Sequence, residues 1–201
     1  MSTKLYVANT EPLKKVSLFE YFYELVPEYR QKKIDFFLQN KDKYLSLGAG
    51  VLLSYALKNQ NEDESNLLIR YTLNGKPFFE NRSNLFFSLS HSNEMVMCAL
   101  SSKRVGCDVE FLDRQSEINI DEWTTLESYS KAFDIPVDSI VTGLHGNIEY
   151  SCIKTINLSK DYIFKLYTEE KYSVELIDFD ELYYKQGLVN TIMYNLGGKN
   201  L

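Results

Sequence analysis

The spacing of apolar residues changes period along the chain. Over residues 17–29, Leu18, Tyr21, Phe22 and Leu25 recur at helical spacing, and residues 41–58 continue with Leu45, Leu52, Tyr55 and Ala56, so the first part predicts helices. From residue 67 the apolar runs shorten to 67–73, 85–90, 95–100 and 105–112. They are separated by the turn formers Asn74-Gly75-Lys76-Pro77, Ser92-Asn93 and Ser101-Ser102, which predicts a meander of strands. Residues 121–133 return to a helical pattern, with Asp or Asn near the start and Pro136 beyond the end. The tail alternates again over 147–156, 161–168 and 172–179, with 157–160 as a hairpin-like connection. Helices, strands, helix, strands predicts an α+β fold in two halves of similar size, 1–102 and 103–201, hinged near 101–104.

Composition narrows the class. At 201 residues and 44% hydrophobic the chain can bury a sizeable core, and its longest apolar stretch, 45–57, is interrupted by Ser46, Gly48, Gly50 and Ser54. No membrane span or export signal is read in the sequence, and the three cysteines (Cys98, Cys107 and Cys152) are odd in number, widely spaced and set in apolar surroundings. Reduced thiols in a cytoplasmic protein are therefore expected. A net charge of −6 would repel nucleic acid and anionic lipid, so an anionic ligand would need a local basic cluster. Arg30, Lys32, Lys33, Lys41 and Lys43 form one candidate cluster, with solvated helix-face charge as the alternative for each.

The densest chemistry lies in Val105-Gly106-Cys107-Asp108-Val109-Glu110 and in the helical stretch from Trp123 to Lys131. On a strand, residues two apart share a face, so Asp108 and Glu110 are expected side by side with Cys107 and Val109 facing the core. On a helix, Glu127 and Lys131 share a face, and opposite the strand they would bring three carboxylates and an ammonium together. Such a cluster suits Mg²⁺, which takes a few carboxylate oxygens and completes its octahedron with water and substrate phosphate. The alternative for the helix is plainer: Thr124-x-x-Glu127 fits a capping box, with Lys131 as an ordinary partner of Glu127.

Read in order, Asn74-Gly75-Lys76-Pro77, Phe86-Phe87-Ser88-Leu89-Ser90-His91-Ser92, Cys98-Ala99-Leu100-Ser101 and Val105-Gly106-Cys107-Asp108-Val109-Glu110 resemble the central signature of the surfactin-type 4′-phosphopantetheinyl transferases. The match is good over residues 75–110, looser over 123–132 and vague over 30–53. The resemblance implies two similar α/β halves related by pseudo-twofold symmetry, each a small, mainly antiparallel sheet with packed helices, acting as a monomer. It implies transfer of phosphopantetheine from coenzyme A to a serine of an apo acyl or peptidyl carrier protein, with release of 3′,5′-ADP. By the same resemblance Asp108, Glu110 and Glu127 would hold Mg²⁺ and Lys131 would contact the coenzyme A phosphates. Asp108, Glu127 and Lys131 would carry catalysis. Ser90, His91 and Lys76 would meet the nucleotide, and Arg30, Lys33 and Lys43 would supply the N-terminal basic pocket. His145, in Gly143-Leu144-His145-Gly146, reads as a turn residue.

Two departures from the pattern stand out. Leu126 replaces a lysine, and only residues 111–122 separate Glu110 from Trp123, where the family has a longer segment that helps to receive the carrier. The alternative expectation is accordingly a catalytically impaired paralogue that binds coenzyme A or a carrier protein without efficient transfer.

Overall fold

The structure, a computed structural model, describes residues 2–113, 119–143 and 148–185. His145 lies outside the described residues, as do 114–118 of the shortened segment. The chain is α+β. It begins with a strand the periodicity does not announce, β1 (Thr3–Asn9), whose Leu5 and Val7 face one core while Tyr6 and Ala8 face another. A strand buried on both faces loses its polar alternation, and that alternation was the sequence signal.

The helix expected over 17–29 is two helices, α1 (Val16–Leu25) and α2 (Glu28–Phe36). Pro27 stands between them at φ −61° and ψ 155° and caps α2, since a proline within a helix cannot donate its hydrogen bond and clashes with the preceding turn. The long α3 (Asn40–Asn59) follows, close to its expected bounds. The run at 67–73 contracts to β2 (Ile69–Tyr71), which pairs with an unforeseen short strand, β3 (Pro77–Phe79), in a hairpin of its own.

β4 (Phe86–Ser92), β5 (Met95–Ser101) and β6 (Val105–Phe111) fall where the alternation placed them, and α4 (Ile120–Phe133) leads to the short α5 (Val137–Val141). Of the strand expected over 147–156, only β7 (Ile153–Thr155) is present among the described residues. β8 (Tyr162–Thr168) and β9 (Tyr172–Ile177) complete the described strands.

The strands form a four-stranded sheet, β4-β5-β1-β9, and a three-stranded sheet, β6-β8-β7, besides the hairpin. Every pair is antiparallel except β1 with β9, so the chain crosses back to complete the first sheet with a strand from near its C-terminus. Three apolar clusters separate the layers. Tyr6, Leu52, Leu53 and Cys98 pack the first sheet against α1 and α3; Val7, Met97, Cys107 and Phe164 fill the space between sheets; and Leu126, Tyr129 and Tyr167 seat α4 on the second sheet.

The two sheets meet along β4 and β6, an edge strand of each, without a backbone ladder. The backbone N–H groups of Cys107, Val109 and Phe111 donate to the hydroxyls of Ser88, Ser90 and Ser92 at 3.0, 3.3 and 3.2 Å. Serines two apart share a strand face, so one face of β4 supplies all three acceptors for the N–H groups of its neighbour.

On the other side of β6 the spacing to α4 is set by Gly106. A Cβ added there would lie 2.5 Å from the backbone nitrogen of Ala132 and closer still to the carbonyl oxygen of Ser128. Backbone atoms of a packed helix cannot yield by rotating a side chain, so this contact requires glycine. Gly106→Ala is therefore expected to destabilise the fold by about 2 kcal/mol or more, the scale of an overpacked core. Urea unfolding checks this, and an unchanged midpoint would contradict the account of α4 seating.

Candidate active site

Asp108 and Glu110 on β6, with Glu127 on α4, define the acidic end of the site. β6 turns Cys107 and Val109 into the intersheet core, as their alternation predicted, and turns Asp108 and Glu110 toward α4 and the cleft. Helix α4 begins at Ile120, within one residue of its expected start. Asn119 is the N-cap, accepting from the Asp121 and Glu122 N–H groups, so Thr124 lies inside the helix and donates to the Ile120 carbonyl. The capping-box reading of Thr124 and Glu127 is thereby replaced, because a cap residue must precede the first turn.

Within the helix, Glu127 and Lys131 do share a face. Lys131 Nζ donates to Asp108 Oδ1 at 2.6 Å and to Ser90 Oγ at 3.1 Å, and stands 4.0 Å from Glu127 Oε2. Asp108 is 3% exposed, and its second oxygen, Oδ2, is buried with no hydrogen-bond partner. Burial alone would pull the Lys131 pKa down, but the charge and hydrogen bond of Asp108 outweigh it and the net shift is upward. Lys131 is thus a fixed cation beside an acceptor oxygen that faces no protein donor.

Ser90 lines the same cleft beside Asp108 and Lys131. Its hydroxyl is buried; it donates to Asp108 Oδ1 at 2.6 Å while accepting from Lys131 and from the Val109 N–H. His91 alternates to the other side of β4. It is exposed at the cleft yet crowded by protein, and this desolvation, with the charges of Lys131 and Lys33, lowers its pKa.

A cleft of about 410 Å³ joins the acidic end to a basic one formed by Arg30, Lys33, Ser46 and His91. Arg30 is buried on α2 and packs along Gly50 of α3; a Cβ at Gly50 would lie 2.8 Å from Arg30 Cγ. Arg30 Nε and Ser46 Oγ are both buried without a hydrogen-bond partner. Two unsatisfied donors in one cleft are costly to an isolated fold and suited to an anion. Burial, then the charge of Arg30, lowers the pKa of Lys33.

Ser46 was not singled out from the sequence. It sits in an apolar helical stretch where its spacing reads as core, and only the approach of α2 and β4 gives it a site. Lys76 lies in an adjoining cavity of about 600 Å³, which shares Pro77, Leu89, Trp123, Glu127 and Lys131 with the first cleft. Desolvation lowers the Lys76 pKa, with Arg104 adding to the effect and Asp134 opposing it.

Other members of the proposed basic cluster are not brought here. Lys43 lines a separate cavity with Leu13 and Phe19, Lys41 donates to Asn93, and Lys32 is an exposed partner of Glu28. Among the described residues, no three His, Cys, Asp or Glu side chains form a group ready to hold a metal ion. Leu126, the departure from the pattern, is buried in the apolar cluster with Tyr129 and Tyr167.

With this geometry described, similarity to known proteins can be set beside it: the chain is similar to 4′-phosphopantetheinyl transferases, as the resemblance over residues 75–110 implied. It is 35% identical over 104 residues to the transferase gsp of Aneurinibacillus migulanus, a match covering 51% of this chain and 42% of the relative. Identity to HetI of Nostoc sp. is 29% over 105 residues, covering 50% and 41%, and to Sfp of Bacillus subtilis 23% over 156 residues, covering 63% and 70%. The matches thus span less than half the length of the first two relatives. No family model matches the chain.

The lowered His91 pKa gives a signed prediction. On acidification the unfolded chain takes up the imidazole proton first, near pH 6.5, while the folded chain resists it, so stability rises with pH below about 6.5. Melting temperatures between pH 7 and 5 should fall more for wild type than for His91→Gln. Parallel slopes would contradict the desolvated setting of His91.

Proposed function

We propose that this chain transfers the 4′-phosphopantetheine group of coenzyme A to a serine of an apo acyl or peptidyl carrier protein. The observation that carries the reading is the cleft with opposed ends: a buried carboxylate oxygen and a fixed ammonium at one end, and at the other two buried donors without hydrogen-bond partners, Arg30 Nε and the Ser46 hydroxyl. Coenzyme A has matching chemistry, a pyrophosphate and a separate 3′-phosphate on one molecule. Similarity to three transferases supports the same reading.

In this assignment Arg30, Lys33, Ser46 and His91 take the 3′-phosphate, and bound phosphate favours the protonated imidazole that burial disfavours. Lys131 lies against the pyrophosphate, and the adjoining cavity with Lys76 accepts the remainder of the molecule. The carrier serine Oγ attacks the β-phosphorus, a new O–P bond forms, and the bridging P–O bond to the α-phosphate breaks to release 3′,5′-ADP. Glu127, at the junction of the two cavities, receives the serine proton, and Lys131 offsets charge developing on the leaving phosphate.

The donor chemistry fits Mg²⁺. Asp108 Oδ2 is a buried, unpartnered carboxylate oxygen, Glu110 and Glu127 line the same cleft, and such an ion binds through one or two carboxylates plus substrate phosphate rather than in an all-protein cage. Bound there, it would supply charge neutralisation to the pyrophosphate.

The arrangement in two halves is part of the proposal. Each main sheet is backed by one long helix, α3 on the first and α4 on the second, with the cleft where they meet. The replacement of the family lysine by Leu126 bears little on the cleft, because that side chain packs into the apolar cluster beneath α4.

Intact-mass analysis of apo carrier proteins incubated with this protein, Mg²⁺ and coenzyme A tests the proposal. One carrier should gain a single phosphopantetheine, and Asp108→Ala or Glu127→Ala should lower the rate at least about a hundredfold, the scale of losing a group that acts on the transition state. Coenzyme A binding with no mass gain on any carrier would instead mark a binding paralogue.

A further inference from the structure

The carboxylates of β6 are held by hydroxyls from a strand of the other sheet. Ser90 Oγ donates to Asp108 Oδ1 at 2.6 Å, and Ser92 Oγ donates to Glu110 Oε2 at 2.8 Å. Both serines also accept from the N–H one residue further along β6, Val109 and Phe111. A backbone N–H can only donate, so each serine oxygen must accept there, and its single hydroxyl hydrogen is left for the carboxylate. The strand-to-strand bond thereby fixes the direction of the hydroxyl-to-carboxylate bond.

Ser88 provides an internal comparison. It accepts from Cys107 N–H in the same way at 3.0 Å, but the position matching Asp108 and Glu110 is Gly106, which has no side chain. The bond to the backbone recurs at all three serines, and the bond to a carboxylate occurs where the cleft has one.

We propose that Ser92 is a positioning residue for the metal-binding end of the site, orienting the Glu110 carboxylate on the cleft wall through the hydroxyl that also joins the two sheets. No role was read for Ser92 beyond its place in a turn and in the Phe86–Ser92 stretch of the resemblance, and its partners lie 18 and 19 residues away. The inference rests on the reading in which this end takes a divalent cation. It differs from a structural role because outer partners that orient ligating carboxylates change metal affinity itself.

The test uses Mn²⁺ as probe, titrated into the protein with coenzyme A and followed by the electron paramagnetic resonance signal of free Mn²⁺, with melting temperatures in parallel. Ser92→Ala should weaken Mn²⁺ binding about tenfold or more. Ser92→Thr, which keeps the hydroxyl, should stay within about threefold of wild type, and Ser88→Ala, which removes a seam acceptor but no carboxylate contact, within about twofold. Equal Mn²⁺ affinity in wild type and Ser92→Ala, while Glu110→Gln weakens binding, would overturn the inference alone. Equal weakening in Ser88→Ala and Ser92→Ala would reduce Ser92 to a structural tie and overturn it as well. Mn²⁺ that fails to bind wild type would remove the metal assignment and this inference with it.

Discussion

The site depends on the junction of β4 and β6, where two edge strands meet through serine hydroxyls instead of a backbone ladder. An edge strand carries N–H groups that must find partners, and a ladder between these two would merge the sheets into one. A hydroxyl solves the problem differently: it accepts from the neighbouring strand and still has a proton to give. At Ser90 and Ser92 that proton goes to Asp108 and Glu110, so the bonds that hold the sheets together also aim the acidic residues.

Two glycines let charged groups approach that junction. Gly106 brings the backbone of α4 against β6, which puts Lys131 within 2.6 Å of Asp108. Gly50 leaves room for the aliphatic part of Arg30 to pass between α2 and α3, so that its guanidinium is buried beside the cleft rather than extended into solvent. The cost of burying these charges differs at the two ends. Asp108 and Lys131 offset each other's charge, and removing either one would leave an uncompensated buried charge. Arg30 Nε and Ser46 Oγ have no such compensation within the protein, which is why an anion is the natural complement of that end.

Much of this was legible in the sequence, and the remainder was hidden for physical reasons. Alternation in Val105-Gly106-Cys107-Asp108-Val109-Glu110 correctly separated core from cleft, and helical spacing correctly put Glu127 and Lys131 on one face. β1 was missed because burial on both faces erases the period, and the helical reading was carried through Pro27 although its apolar positions, Leu18, Tyr21, Phe22 and Leu25, all precede it. Ser46 carries no local signal, and Ser92, although it closes the Phe86–Ser92 stretch of the resemblance, gives no sign of its partners; what distinguishes both is what approaches from another element. Lys43 shows the converse case. The resemblance grouped it with Arg30 and Lys33 in one pocket, but α3 starts at Asn40 and carries Lys43 to a separate cavity.

The central claim is that the basic end of the cleft recognises a phosphate separate from the one undergoing reaction. Calorimetric titration with coenzyme A and with dephospho-coenzyme A, which lacks only the 3′-phosphate, addresses it most directly. The account predicts at least about tenfold tighter binding of coenzyme A, with the difference lost in Arg30→Met, as befits a charge-assisted contact made in a desolvated site. Equal affinity for the two ligands in the wild-type protein would contradict it.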